Sequence, residues 1–242
     1  MTFKTDAFVL RAIPWHEADK LYYLFTPHEG VITVLVRAAA KSSSKLAGHL
    51  LPFAKVRVMI GRGKMDHLAG VHLLKDYSNL RTDLKNLSLA SSVVELFLGE
   101  LSSGAKLAEF NLLEEMFLLL NDTQLTNENK MILVRVFLWK FLSLSGWQPQ
   151  LDHCFICQQA IDNGAYLPGR GLVCHKHDLS GTFLISPDLL QFLRGVLKLA
   201  LKDSLDLNLN PELNREWLQA SQAYYQEVYD RPSKALKLFI YG

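Results

Sequence analysis

Up to about residue 76 the chain alternates short apolar runs with turn-forming residues. The runs are rich in β-branched and aromatic side chains and predict strands over 8–13, 21–25, 31–36, 56–60 and 68–74. Residues 26–30 and 61–63 carry the turn residues that join neighbouring runs into hairpins. Short strands without helical crossovers favour a small closed or partly closed barrel of the OB type. An SH3-like barrel or an open sheet fits this periodicity as well.

From about residue 80 the apolar positions recur with a helical period. Helices are predicted over 84–101, 111–120 and 130–144, the last with Asn127 as its N-cap. Ser186-Pro187-Asp188 has the composition of a helix start, and a final helix is predicted over 211–229. The tail over 235–241 is compatible with a short helix or a strand. The predicted class is α+β: an N-terminal OB-fold domain over 1–80 and an α-helical domain over 81–242, with a cysteine and histidine insert at about 150–180.

The composition is that of a globular protein with a sizeable core. Hydrophobic residues make up 49% of the 242 residues and charged residues 21%, which argues against disorder. No apolar run is long enough to cross a bilayer, and the N-terminus lacks the apolar core of a signal peptide. We therefore expect no membrane association and a cytoplasmic location. The 3 cysteines fit a reducing compartment better than a disulfide framework.

The basic residues are unevenly distributed along the chain. Gly30 to Met65 contains seven Lys and Arg residues and no Asp or Glu, although the net charge of the whole chain is only +2. Such a segment points to a polyanionic partner, and flexible basic side chains beside Ser42–Ser44 suit contacts to a phosphate backbone. The alternative is a solvated loop whose charges aid solubility. Trp15, Tyr22, Tyr23 and Phe53 are candidates for stacking on bases, with the barrel core as the alternative, favoured for Tyr23 and Phe25.

All the cysteines lie in one stretch that ends in a histidine. Cys154 and Cys157 form a CxxC pair, and Cys174 and His177 follow at CxxH spacing. Three sulfurs and one imidazole can fill a tetrahedral Zn²⁺ shell without leaving an open position, so the predicted zinc site is structural. The alternatives are buried cysteines in a reducing compartment, or a site that has lost its metal.

Catalytic motifs are missing from the sequence. It contains no phosphate-binding GxxxxGK[ST] loop, no GxGxxG dinucleotide motif, no GxSxG elbow and no HExxH. We therefore expect a binding protein rather than an enzyme. A zinc-dependent hydrolase acting on nucleic acid and a protein-only adaptor with an acidic partner are the alternatives from other classes.

Several local motifs, and the order of the predicted parts, resemble the DNA repair protein RecO family. The similarity covers nearly the full length and is densest in the first eighty residues. It is carried by residues 7–11 (AFVLR), 15–19 (WHEAD), 25–30 (FTPHEG), 36–41 (VRAAAK), 51–53 (LPF) and 61–63 (GRG). Gln158, the Arg170-Gly171 pair and His177 depart from the family pattern, which has Gly, a Gly pair and a fourth Cys at these places.

The resemblance implies an N-terminal OB fold, an α-helical domain and non-catalytic work in recombinational repair. It implies binding of single- and double-stranded DNA, annealing of complementary strands, and loading of RecA together with RecR. Arg37 and Lys41 match the family's basic motif, and Arg135 is the candidate for docking the C-terminal tail of single-stranded-DNA-binding protein. The expected location is nucleoid-associated. The predicted DNA contacts are Arg11, Arg37, Lys41, Lys45, Arg57, Arg62 and Lys64. An RNA-binding or ribosome-associated OB-fold protein is the alternative.

Overall fold

The computed structural model describes residues 1–41, 44, 46–99, 104–162, 164–177, 180, 182–207 and 209–230. The predicted DNA contact Lys45 and the predicted tail element over 235–241 lie outside these residues. The chain divides into two compact units, Met1–Leu125 and Thr126–Gly242.

The N-terminal strands close into a barrel, as predicted. They are β1 (Thr2–Trp15), β2 (Asp19–Thr26), β3 (Gly30–Val36), β4 (Lys55–Gly61) and β5 (His67–Lys75). Their order around the barrel is β1-β2-β3-β5-β4, and β1 pairs with β4 to complete the circuit. The β3–β5 pair is parallel and the others are antiparallel. This arrangement confirms the OB-like prediction and is incompatible with the open sheet.

Two apolar faces explain why β1 is buried on both sides over part of its length. Ala7 and Val9 point into the barrel core with Tyr22, Leu24 and Val34. On the opposite side, the Phe8 ring packs against Phe110 and Phe117, at centroid distances of 4.8 and 5.6 Å. The outer side of the barrel is therefore apolar where helices cover it.

The helices of the first unit are α1 (Leu84–Gly99) and α2 (Leu107–Leu120). Phe97 of α1 packs on Phe25, with ring centroids 4.6 Å apart. Lys55 on β4 donates to both carboxylate oxygens of Glu114 on α2 at 2.7 Å, largely shielded from solvent. Leu84, at the start of α1, is exposed although it belongs to the predicted apolar stripe.

The second unit contains the helices α3 (Asn127–Leu142), α4 (Pro187–Lys198) and α5 (Pro211–Tyr229). Helix α3 is capped by Thr126 rather than by Asn127, with the Thr126 hydroxyl accepting the N–H of Asn129. Helix α4 starts as predicted, since Ser186 Oγ accepts the N–H of Leu189 at 3.0 Å. Trp139 is fully buried, and its indole N–H donates to Ser221 Oγ at 2.8 Å.

A small sheet lies between α3 and α4 in the chain, at the predicted position of the insert. It consists of β6 (Ala165–Leu167), β7 (Gly171–Val173) and β8 (Phe183–Leu184), in the order β7-β6-β8. Among the described residues, no helix is both long and apolar enough to span a membrane.

Candidate nucleic-acid interface and metal centre

The structure brings the predicted metal ligands together. The ligand atoms of Cys154, Cys157, Cys174 and His177 all lie within 4.8 Å of one another. Cys174 Sγ is 3.2 Å from His177 Nδ1, and Cys157 Sγ is 3.9 Å from Cys174 Sγ. Cys154 is buried and the other ligands are partly exposed. This cluster could hold a metal ion.

Backbone hydrogen bonds position both halves of the cluster. The N–H of Phe155 donates to the carbonyl of Leu172 at 2.7 Å, which ties the CxxC turn to strand β7. The N–H of Cys174 points to Cys154 Sγ at 3.4 Å. Gly171 at the start of β7 has φ of +125°, and a Cβ there would lie 2.1 Å from the carbonyl oxygen of Gln150. Only glycine fits this approach, so Gly171 sets the register that places Cys174.

The surroundings of Cys154 favour a thiolate. Burial acts to raise the pKa of the Cys154 thiol, but the backbone N–H groups of Cys157, Cys174 and Ile156 outweigh it and lower the pKa to about 6. A thiolate is the form of cysteine that binds metals. The pKa of Cys157 is raised instead: the N–H of Gln159 opposes the shift, whereas desolvation and the neighbouring cysteine sulfurs cause it.

Gln158 has a left-handed backbone immediately after the CxxC turn, with φ of 59°. Its N–H donates to the carbonyl of Cys154 at 2.9 Å, and its side-chain amide donates to the carbonyl of Phe155 at 2.9 Å. The conformation is one that glycine adopts without a steric penalty. The family pattern has glycine at this position, so Gln158 carries a backbone strain that glycine would not.

Two of the predicted DNA contacts are paired with acids. Arg57 donates from Nε to Asp6 Oδ1 at 2.7 Å across the β1–β4 ladder. Arg62 pairs with Glu29 and with Asp66. Hydrogen bonds to Asp6 and to Glu29 raise the pKa of Arg57 and of Arg62, respectively. The segment from Gly30 to Met65 contains no acid, but the fold brings carboxylates from outside it into ion pairs with Arg57 and Arg62.

Four other predicted contacts have no acid partner among the described residues. Among the described residues, no carboxylate oxygen lies within 4.0 Å of the cationic groups of Arg11, Arg37, Lys41 or Lys64, and these side chains are exposed. They come from β1, the segment that follows β3, and the β4–β5 turn. The structure therefore separates the predicted set into neutralised and available cations.

The segment that carries Arg37 and Lys41 is fastened to the β1–β2 turn. The N–H of Ala38 donates to Asp19 Oδ1 at 2.8 Å, and the N–H of Ala40 donates to the carbonyl of Ala18 at 2.9 Å. Asp19 therefore positions the basic segment. The sequence placed it in the motif over 15–19 (WHEAD) but did not indicate this role.

The predicted stacking residues differ in exposure. Tyr22 and Phe53 are buried at 4% exposure each, so they cannot stack on bases without rearrangement. Tyr23 is partly buried, whereas Trp15 remains 36% exposed. Trp15 is therefore the candidate that keeps an accessible ring.

Arg135, the predicted partner-binding residue, is a poorly hydrated cation on α3. Its guanidinium lies over the Trp217 ring at 4.5 Å and donates from Nη1 to Asn214 Oδ1 at 2.6 Å. Burial lowers the pKa of Arg135 to about 10, so it is charged at neutral pH. Within the part of the chain that the structure describes, no carboxylate forms an ion pair with it.

Comparison with known proteins agrees with this architecture. The family model "Recombination protein O N terminal" matches residues 1–77, and "Recombination protein O C terminal" matches residues 81–237. The chain belongs to the recombination protein O family. The family similarity thus includes the barrel and extends through the metal-ligand cluster.

Curated relatives named "DNA repair protein RecO" match along most of the chain. The Clostridium novyi protein is 26% identical over 99% of this chain and 94% of its own length. The Dehalococcoides mccartyi protein is 29% identical over 97% of this chain and 93% of its own length. The Synechococcus elongatus protein (strain PCC 7942) is 34% identical over 66% of this chain and 60% of its own length. Membership of this family supports a role in DNA repair and recombination.

Proposed function

We propose that the chain is a recombination mediator that binds single- and double-stranded DNA and anneals complementary strands. The observation that carries the proposal is a set of exposed cations on the barrel unit that have no acid partner among the residues described by the structure: Arg11, Arg37, Lys41 and Lys64. Lys45 belongs to the same sequence segment and is kept in the proposed DNA-binding set. Arg57 and Arg62 can contact DNA phosphates only if they leave their carboxylate partners or bind both groups at once.

The chemistry of annealing explains why such a surface helps. Two DNA strands repel each other through their phosphates, and a protein that neutralises phosphates releases counterions and binds more weakly as salt rises. Arginine and lysine contacts to phosphates position a strand without reading its sequence. A basic barrel can therefore hold two strands together while their bases search for partners. This is binding work, and it requires no catalytic residue.

The proposed division of labour follows the sequence domains. In this proposal residues 1–80 are the nucleic-acid-binding OB-fold part and residues 81–242 the helical part with the metal site and the partner contact, although α1 and α2 belong to the same compact unit as the barrel. We place the protein's work at chromosomal DNA in the cytoplasm, in association with the nucleoid. Assistance to RecA loading together with RecR completes the proposed role.

Zinc is the metal that the cluster fits best. Zinc–sulfur bonds of about 2.3 Å in a tetrahedral site place two sulfurs about 3.8 Å apart. The Cys157–Cys174 sulfur distance is 3.9 Å, close to that spacing. When bound, zinc would tie the CxxC turn to the segment after β7. The four protein ligands leave no position for a substrate, which makes the role structural.

Arg135 is the proposed contact for the C-terminal tail of single-stranded-DNA-binding protein. A half-buried guanidinium without an acid gains more from a carboxylate than an exposed one does, because water screens it less. We expect a tail peptide with a free C-terminal carboxylate to bind, and R135M to abolish that binding. Amidation of the peptide should weaken it similarly. Equal binding of both peptides to the wild type would place the contact elsewhere.

Annealing kinetics test the function as a whole. We expect the wild-type protein to accelerate pairing of complementary oligonucleotides, with the rate falling steeply as salt rises. DNA and RNA oligonucleotides of one sequence should be compared, because preferential binding of RNA would favour the RNA-binding alternative. No acceleration of DNA annealing at low salt would contradict the proposal.

A further inference from the structure

We propose that Trp15 and His16 form a stacking site for one unpaired base, next to cations that hold the adjoining phosphates. The inference rests on the proposed DNA-binding function and deepens it, because it names single-stranded nucleic acid as the ligand of this end of the barrel. It assigns a chemical task to the β1–β2 hairpin turn.

The hairpin turn presents an aromatic pair to solvent. Trp15 is the last residue of β1 and pairs with Asp19, the first residue of β2. His16 follows in a left-handed conformation, with φ of 51°. Its ring meets the Trp15 ring edge to face, with centroids 5.2 Å apart and planes at 71°. Trp15 keeps 36% of its surface exposed, unlike Trp139 and Trp217, which are fully buried.

Hydrogen bonds from two backbone N–H groups fasten the segment that carries Arg37 and Lys41 to the β1–β2 turn. Lys20 lies opposite Val36 in the β2–β3 ladder, so Arg37 follows directly at the same end of the barrel. The Ala38 N–H to Asp19 and Ala40 N–H to Ala18 bonds then fold the segment over the hairpin turn. Asp19 thus provides a side-chain link between the aromatic turn and the basic segment, beside the backbone bond from Ala40 to Ala18.

This combination fits a single strand rather than a duplex. An aromatic ring can stack only on a base whose face is free, and bases in a duplex are already stacked on their neighbours. Flanking cations suit the phosphates on either side of such a base. Stacking does not depend on base identity, so the site would bind any sequence, as a protein acting on arbitrary DNA requires.

The experiment compares a short oligothymidylate with an abasic oligomer of the same length and charge. The wild type should bind oligothymidylate about tenfold more tightly, within the range expected for stacking of one base. W15A should reduce this preference to nearly one and leave abasic binding unchanged. W15F should keep most of the preference, because it retains a ring.

Fluorescence and variants of Asp19 distinguish failure of the stacking site from failure of the proposed function. Oligothymidylate should quench Trp15 fluorescence in the wild type, and the abasic oligomer should not. D19A should reduce the preference, whereas D19N should keep it because the amide oxygen still accepts the Ala38 N–H. Equal binding of both oligomers to the wild type would overturn the stacking site and leave the proposed function intact. Binding of neither oligomer at low salt would instead contradict the proposed function.

Discussion

Arg57 Nε lies 2.7 Å from Asp6 Oδ1, on neighbouring strands of the barrel. The pair joins a residue inside the acid-free segment to a carboxylate about fifty positions away in the chain. A local charge count therefore overstates the positive charge that a ligand meets. The same holds for Arg62, whose partners are Glu29 and Asp66. The cations that remain available define where DNA should bind.

The first prediction concerns this neutralised pair. The double variant D6N/R57Q removes one positive and one negative charge, so we expect the slope of DNA affinity against salt concentration to stay unchanged. R37Q should reduce the slope by about 1, as loss of one phosphate contact does. Fluorescence anisotropy across a salt series measures both. A fall in slope for D6N/R57Q equal to that for R37Q would show that Arg57 leaves its acid to bind DNA.

The second prediction concerns the metal. C174S, or treatment with a chelator, should lower the unfolding temperature of the second unit, because metal binding contributes to folding free energy. Elemental analysis should find zinc in the wild type and little in C174S. H175A is the matched control, since His175 is exposed and neighbours Cys174 without belonging to the ligand cluster. Near-complete loss of DNA binding by a folded C174S variant would contradict a purely structural role.

The third prediction concerns the strained residue after the CxxC turn. Q158G should stabilise the second unit by about 1 kcal/mol, because glycine adopts a positive φ without the steric cost borne by other residues. Q158A keeps the strain and loses the amide bond to Phe155, so it should give no gain. Denaturant unfolding of the three proteins checks this. Destabilisation by Q158G would mean that the side-chain hydrogen bond outweighs the backbone strain.

The fourth prediction is a pH dependence. Burial raises the pKa of Tyr166 well above its usual value of 10.0. Above pH 10 the unfolded state releases this proton and the folded state retains it, so stability should fall by up to about 1.4 kcal/mol per pH unit. Y166F should remove its own share of this loss between pH 10 and 11, leaving the part due to Tyr77 and Tyr224, whose pKa values burial also raises, and should leave the pH dependence near neutrality unchanged. An equally steep alkaline loss in Y166F would place the effect on other tyrosines.

The pattern of side chains predicted the five strands, because they form short apolar runs bounded by turn residues, but it fitted an open sheet as well as a barrel. The pairing of β1 with β4, which closes the barrel, decides between them. The sequence pattern was sufficient for the metal cluster, since the ligand spacing itself describes two tight turns. The start of α4 at Ser186 follows from local capping chemistry, in which the Ser186 hydroxyl accepts the N–H of Leu189.

Features that depend on distant partners could not be predicted in this way. Tyr22 was proposed as a stacking residue, but the closure of the barrel buries it in the core. The pairing of Arg57 with Asp6 depends on the β1–β4 register, which no local pattern specifies. The bond from Ala38 to Asp19 likewise appears only when the end of β3 reaches the β1–β2 turn. Charge and exposure at the candidate interface are thus tertiary properties.

The most direct measurement of the central claim is the affinity of R37E/K41E for single-stranded DNA at moderate salt, alongside its annealing rate. Both residues are exposed and without acid partners among the described residues, so the variant should fold normally. We predict at least a tenfold loss of affinity and a matching loss of annealing. Unchanged affinity and unchanged annealing in a folded R37E/K41E protein would contradict the account.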